Sequence, residues 1–170
     1  ALLDENVWLV EWPTAVLGRF SSEYLDLPRP VLVTAMKKHQ RYFPIEGPDG
    51  RLLPNFVAIR SGGSEFLETV REGYERVLTA RFSDAAYFHK LDQNSTLDQM
   101  AGDLSRLIFQ EKLGTMAEKR NRLEKLSTSL ANLFALSDQE RTDLARAAAL
   151  CKADLVSRMV IELPALQGVM

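Results

Sequence analysis

Between Leu67 and Phe88 the residues Leu67, Val70, Tyr74, Val77, Leu78, Phe82, Ala85 and Phe88 recur at three- and four-residue steps. At about 100° per residue this spacing puts all eight on one face of a helix. The periodicity predicts a helix over about 64–90, with Ser64 capping its first amides and its apolar face buried. Glu68, Arg71, Glu72, Glu75, Arg76 and Asp84 lie mostly off the stripe. Gly73 sits inside it at a cost of about 1 kcal/mol against alanine, which predicts close packing on another backbone or a slight kink. The chain before this helix mixes strand and helix signals, whereas the chain after it reads as helical, so the fold class is α+β.

Before the helix, Val7–Val10 reads as a short strand stopped at Pro13, followed by a loop through Gly18 and a helical turn over 22–25. Pro28 and Pro30 set up a helix over 31–39, with Pro30 suited to its first turn. Tyr42 to Ile45 and Phe56 to Arg60 flank Gly47-Pro48-Asp49-Gly50, the signature of a β-hairpin. Ser61-Gly62-Gly63 then breaks the pattern as a flexible linker. This gives a mixed region with a hairpin over residues 1–62 and a helical region over 63–170. In the second region Ser95 with Asp98 suggests a capping box, ahead of a stripe of Leu97, Met100, Ala101, Leu104, Leu107 and Ile108. Gly114 separates that stripe from a helix bearing Met116, Leu123, Leu126, Leu130 and Leu133. Ser137 with Glu140 opens a last helix lined by Leu144, Ala148, Cys151, Leu155 and Met159, which Pro164 stops or bends.

Chemistry-bearing residues are sparse. The only cysteine, Cys151, lies on an apolar stripe and reads as a buried inert thiol; a single cysteine excludes a disulfide framework and a thiolate metal site. His39 and His89 end helical patterns without metal-ligand spacing and read as structural. With 46% hydrophobic residues and a net charge of −2 over 170 residues, the chain can build a core but is no general nucleic-acid coat. No apolar run is long enough to cross a membrane and no leader pattern opens the chain, so a cytoplasmic location is expected. Cations do cluster locally: Lys37, Lys38 and Arg41 at one helix end, and Lys119, Arg120, Arg122 and Lys125 after Gly114. A phosphate-contacting surface and an ordinary solvated face both fit them, since Glu111, Glu118 and Glu124 dilute the second group.

Five blocks, taken together and in order, carry a family resemblance. They are Val31–Pro44 with its Lys37-Lys38-His39-Gln40-Arg41-Tyr42-Phe43 core, Leu53–Arg60, Glu75–Ala85 with Thr79-Ala80-Arg81-Phe82-Ser83-Asp84, Phe109–Thr115, and Lys152–Val156 continuing through Glu162–Met170. In these the chain resembles the β subunit of bacterial-type heterotetrameric glycyl-tRNA synthetase. Tyr74 departs from the asparagine that the family pattern leads one to expect.

The resemblance implies part of an α2β2 enzyme that charges tRNA(Gly) with glycine using ATP. The catalytic domain, with its ATP and Mg²⁺, would belong to the α subunit, and β would supply tRNA recognition and assembly surfaces. It therefore implies no catalytic residue, no metal site and no cofactor bound by this chain, with the α subunit and tRNA(Gly) as partners. Phosphate positioning would fall to Lys119, Arg120, Arg122 and Lys125 first, and to Lys37, Lys38 and Arg41 second. The family's C-terminal anticodon-binding domain is absent from these residues, which suggests an internal or N-terminal-proximal segment. A degenerate, incomplete HD-like helical domain would begin near the last block. There Lys152-Ala153-Asp154 offers an aspartate without its preceding histidine, so Asp154 is expected to cap or form a salt bridge, and hydrolase chemistry is not supported.

Overall fold

The chain opens on a helix where a strand is expected. Residues 2–170 are described in a computed structural model, and helix α1 (Leu2–Val7) is the first element. The amides of Trp8 and Leu9 donate back to Asp4 and Asn6 carbonyls, 3.3 and 3.1 Å away, so Val7–Val10 is used up in closing a helix. Buried Asn6 fixes it by donating Nδ2 to the Leu2 and Arg41 carbonyls.

Pro13 begins a strand instead of stopping one. Strand β1 (Pro13–Arg19) tolerates proline because a first strand residue on a sheet edge need not donate to the ladder. Val16, Gly18 and then Phe20 alternate inward. After a 3-10 turn over Ser22–Asp26, helix α2 (Arg29–Thr34) carries Pro30 in its first turn and runs on into a π turn, Ala35–His39. Val31, Leu32, Ala35 and Met36 are buried from these two pieces. The hairpin stands as expected, from β2 (Phe43–Glu46) and β3 (Leu52–Ser61). It gains β1 as a third strand: the sheet order is β1-β3-β2, antiparallel throughout, with Pro13 opposite Ser61 and Arg19 opposite Asn55. The segment after β3 is no free linker. Gly62 donates its amide to Trp12 at 2.8 Å, and Thr14 Oγ1 donates to the Gly62 carbonyl at 2.6 Å.

Helix α3 (Leu67–Asp92) starts three residues later than Ser64. Phe66, in the left-handed region at φ 54°, turns the chain, and Val70 donates the first amide back to it. The buried face is narrower than the apolar stripe: Leu78, Phe82 and Ala85 are inside, whereas Val77 is 44% exposed. Phe82 meets Phe20 edge-on at 4.9 Å and Tyr24 at 5.4 Å, while Tyr42 stacks on Phe56 at 4.7 Å and tilts against Tyr74 at 5.5 Å. Burial, with Tyr74 beside it, pushes the Tyr42 hydroxyl up to about 12. Glu75 accepts the Arg19 amide at 3.0 Å, joining α3 to β1.

Gly73 neither packs on a backbone nor needs special freedom; a Cβ there meets nothing within 4 Å. Gly73→Ala is therefore expected to stabilise by about 0.5–1 kcal/mol through helix propensity alone. An unchanged or lower urea midpoint would show that the glycine serves something else.

Compactness divides the chain into two units, one ending at His89 and the other Lys90–Met170. In the second, α4 (Leu97–Asp103) is capped one residue later than expected, by a Thr96–Gln99 box. The helix does not reach Ile108. After a 3-10 turn over Leu104–Arg106 the chain extends into β4 (Ile108–Gln110), paired with β5 (Gly114–Thr115). Helices α5 (Met116–Leu133) and α6 (Asp138–Leu150) pack on each other, and the Ser137–Glu140 box opens α6 as its spacing predicts. Their buried side chains include the small residues Ala131 and Ala148, while Leu126, Leu130 and Leu133 remain exposed.

The last helix breaks at Leu150. A 3-10 turn, Ala153–Val156, and α7 (Arg158–Glu162) follow, then a further 3-10 turn, Pro164–Leu166. The break leaves Cys151 exposed instead of buried. Leu104, Met159, Leu163 and Leu166 supply the core. Two carboxylates tie it together. Asp92 accepts the amides of Arg158 and Met159, each at 2.8 Å, and so caps α7 from outside its own sequence neighbourhood. Asp154 accepts the Gly168 amide at 2.7 Å and so ties the turn after Leu166 back to the Ala153–Val156 turn, a loop contact and not a helix cap.

Candidate nucleic-acid interface

The second cationic group lies on the first turns of α5, and the β4–β5 hairpin leads directly into it. Gly114 makes the link possible. Its φ is +80°, and a Cβ there would collide with the Glu118 carboxylate, which folds back over it to close the cap. Glu118 Oε2 accepts the Thr115 amide at 2.6 Å, and Thr115 Oγ1 accepts the Glu118 amide at 3.3 Å. The turn of the hairpin is fixed by Lys112 N donating to Gln110 Oε1 at 2.8 Å, and its base by Met116 N donating to the Leu107 carbonyl at 2.8 Å.

Lys119 reaches back onto this hairpin, with Nζ 3.7 Å from the centre of the Phe109 ring, a cation–π contact. Arg122 donates NH1 to the Leu113 carbonyl at 3.2 Å and is otherwise on the surface, as is Lys125. Arg120 turns the other way. Its guanidinium donates NH1 to the Ala101 carbonyl at 2.9 Å and NH2 to Asn121 Oδ1 at 3.0 Å, and Nε pairs with Glu124 at 3.3 Å. It holds α5 to α4. The structure thus gathers Lys119, Arg122 and Lys125 on one surface and commits Arg120 to internal partners.

Lys37, Lys38 and Arg41 belong to the first unit. The two lysines are exposed on the π turn, and Arg41, at φ 55°, reverses the chain toward β2 with its side chain in solvent. Its amide donates to the Lys37 carbonyl at 3.2 Å, which draws the three cations to one end of that turn. His39 is exposed beside them. Phe109 is the residue that sequence reasoning passed over, because Leu107 and Ile108 continue a helical stripe. The signal that finds it is an apolar pair shortly before a glycine, with a threonine cap immediately after it. Among the described residues no three His, Cys, Asp or Glu side chains converge as a metal-binding group, and no helix is long and apolar enough to cross a membrane.

Three exposed carboxyls in this unit sit below their ordinary values. The Arg146 fork, at 2.5 and 2.7 Å, lowers Asp98 from 3.8. The Thr115 amide, then its hydroxyl, lowers Glu118 from 4.5, and the Ser137 hydroxyl, then its amide, does the same for Glu140. In each case the unfolded chain binds a proton that the folded chain does not, so the contribution is complete above the ordinary values and fades as pH falls below them. Acid unfolding followed by circular dichroism should therefore have a limb below about pH 4.5 that becomes shallower in Glu140→Gln. An unaltered limb would remove the cap from the account.

A family model described as glycyl-tRNA synthetase beta subunit matches residues 1–170. The glycine–tRNA ligase beta subunit of Shouchella clausii is 50% identical over 168 residues, covering 99% of this chain and 24% of that protein. That of Syntrophomonas wolfei is 49% identical over 169 residues, with 99% and 24% covered. That of Synechocystis sp. is 46% identical over 169 residues, with 99% and 23% covered. The chain spans about a quarter of the length of these relatives.

Proposed function

The chain belongs to the glycyl-tRNA synthetase beta subunit family, and from that premise we propose that it serves glycine–tRNA ligase by binding and not by chemistry. It contacts the phosphates of tRNA(Gly) and takes part in assembly with an α subunit in an α2β2 enzyme of the cytoplasm. ATP and Mg²⁺ act at the α subunit, and no step of adenylate formation is assigned to this chain. The observation that carries the reading is the surface around Arg122. Lys119, Arg122 and Lys125 are presented by the first ten residues of α5, and Arg122 is anchored by its bond to Leu113. Cations held in place on a rigid helix contact phosphates without reading bases. Lys37, Lys38 and Arg41 form the second contact, and Arg120 supports the first by fixing α5.

Binding that rests on phosphate contacts weakens with salt as counterions are released. Arg122→Ala is therefore expected to weaken tRNA binding and to lower the slope of log affinity against log salt by about one. An unchanged slope in a fluorescence-anisotropy titration would strike Arg122 from the interface. A second reading, a protein-interaction module without tRNA contact, is favoured by the exposed apolar face of α5, where Leu133 is 76% exposed. It predicts binding to the α subunit together with no tRNA binding at low salt.

A further inference from the structure

Resting on the RNA-contacting reading above, the geometry points to the β4–β5 hairpin as a stacking platform for one unpaired nucleotide, with Phe109 supplying the ring and Lys119 and Arg122 the phosphate contacts.

Phe109 is 38% exposed and its neighbour Ile108 is 74% exposed, on a hairpin of two very short strands. The ring is thus only partly covered, and an open ring beside cationic side chains is the combination on which unpaired bases stack. Lys119 Nζ stands 3.7 Å from the ring centre, so one side of the ring carries a fixed positive charge. Arg122, three residues on and therefore on the neighbouring part of the helix face, commits NH1 to Leu113, and a guanidinium has five N–H donors to offer.

A nucleotide couples a flat apolar base to an anionic phosphate, and this surface offers a partner for each within one helical turn. Base faces are available only where the nucleic acid is unpaired, and stacking on a side-chain ring tolerates any base. The platform is also formed in advance. The hydrogen bonds of Lys112 and Met116, the Gly114 turn and the Thr115–Glu118 cap all hold the hairpin against α5, so little ordering is left for binding to impose.

The test uses the 170-residue chain and two labelled RNA hairpins with the same stem, one blunt and one with a short unpaired 3′ tail. The wild type should bind the tailed RNA more tightly. Phe109→Ala should lose about fivefold to a hundredfold on the tailed RNA and little on the blunt one, without changing the salt slope, because no charge is removed. Phe109→Trp keeps a ring and should keep the preference for the tail, which guards against a general loss of folding in the alanine variant. Equal weakening of both RNAs in a folded Phe109→Ala, or loss of the tail preference in Phe109→Trp, overturns the platform. So does a Phe109→Ala that binds both RNAs normally but no longer co-elutes with the α subunit, which would make the hairpin a protein contact. If both RNAs bind with an Arg122-dependent slope and the tail adds nothing, the platform alone fails. If neither RNA binds, the RNA-contacting reading fails with it.

Discussion

Phe82→Ala should destabilise the first unit by about 3–5 kcal/mol, the range for removing a fully buried phenylalanine. Phe82 is wholly inaccessible and touches two other rings, Phe20 edge-on and Tyr24 at a tilt, so the loss combines burial, the cavity left behind and two aromatic contacts. These rings come from the segment after β1 and from α3, and the cavity would open where the helix meets the sheet region. Because domains of this size are stable by only about 5–15 kcal/mol, such a loss removes much of the margin. The companion substitution Val77→Ala, on the same helix but at a half-open position, should cost much less. Near-ultraviolet circular dichroism and urea midpoints measure both. Equal effects from the two would mean that the apolar stripe, and not this ring cluster, anchors α3.

Gly18→Ala is the second large effect. Gly18 pairs directly opposite Phe56 in the sheet, and the Phe56 ring lies over it: a Cβ would come within 2.6 Å of Cε1 and 2.9 Å of Cε2. The ring cannot swing clear, because Phe56 is fully buried and Tyr42 is stacked on it with only 14° between the planes. Inserting a methyl group into such a site costs about 1–3 kcal/mol, more where the neighbours are rigid. Trimming the ring should relieve it. In a double-mutant cycle Gly18→Ala should cost much less in a Phe56→Leu background than in the wild type. Additive effects would show that the glycine is kept for its backbone and not for the ring.

Gly18 also explains why β1 was not legible in the sequence. A glycine five residues after Pro13 looks like a loop, and the inward alternation of Val16, Gly18 and Phe20 is hidden because its middle member has no side chain. The place of that side chain is taken by a residue on β3, which is a fact about pairing and not about local sequence. β4 was missed for the opposite reason: Leu107 and Ile108 fit the helical period, and only the turn at Gly114 shows that they are used in an extended pair. The helical elements were easier. The Ser137–Glu140 box and the proline-led start of α2 are local signals, and local signals survived. Where a helix face was apolar, periodicity located the face but not its partner, so Leu126, Leu130 and Leu133 read as core although they lie on the surface.

The candidate site was half legible for the same reason. Cation spacing singled out Lys119, Arg122 and Lys125, but composition alone cannot tell a guanidinium that faces solvent from one, like that of Arg120, that is occupied by a carbonyl and a carboxylate. Phe109 needed the hairpin to be visible before its contact with Lys119 could mean anything. Asp92, which caps a helix 66 residues further along, had no local signal at all.

RNA binding carried by phosphate contacts is the contribution we propose for this chain in a glycine–tRNA ligase. The most direct measurement is size-exclusion chromatography with light scattering of the chain mixed with tRNA(Gly), at about 50 mM and again at about 200 mM salt, a span over which phosphate-based affinity falls steeply. A protein–tRNA complex is expected at the lower salt, dissociating at the higher. Separate elution of protein and tRNA at both, from a chain that still co-elutes with the α subunit, would contradict it and leave the chain as an assembly module.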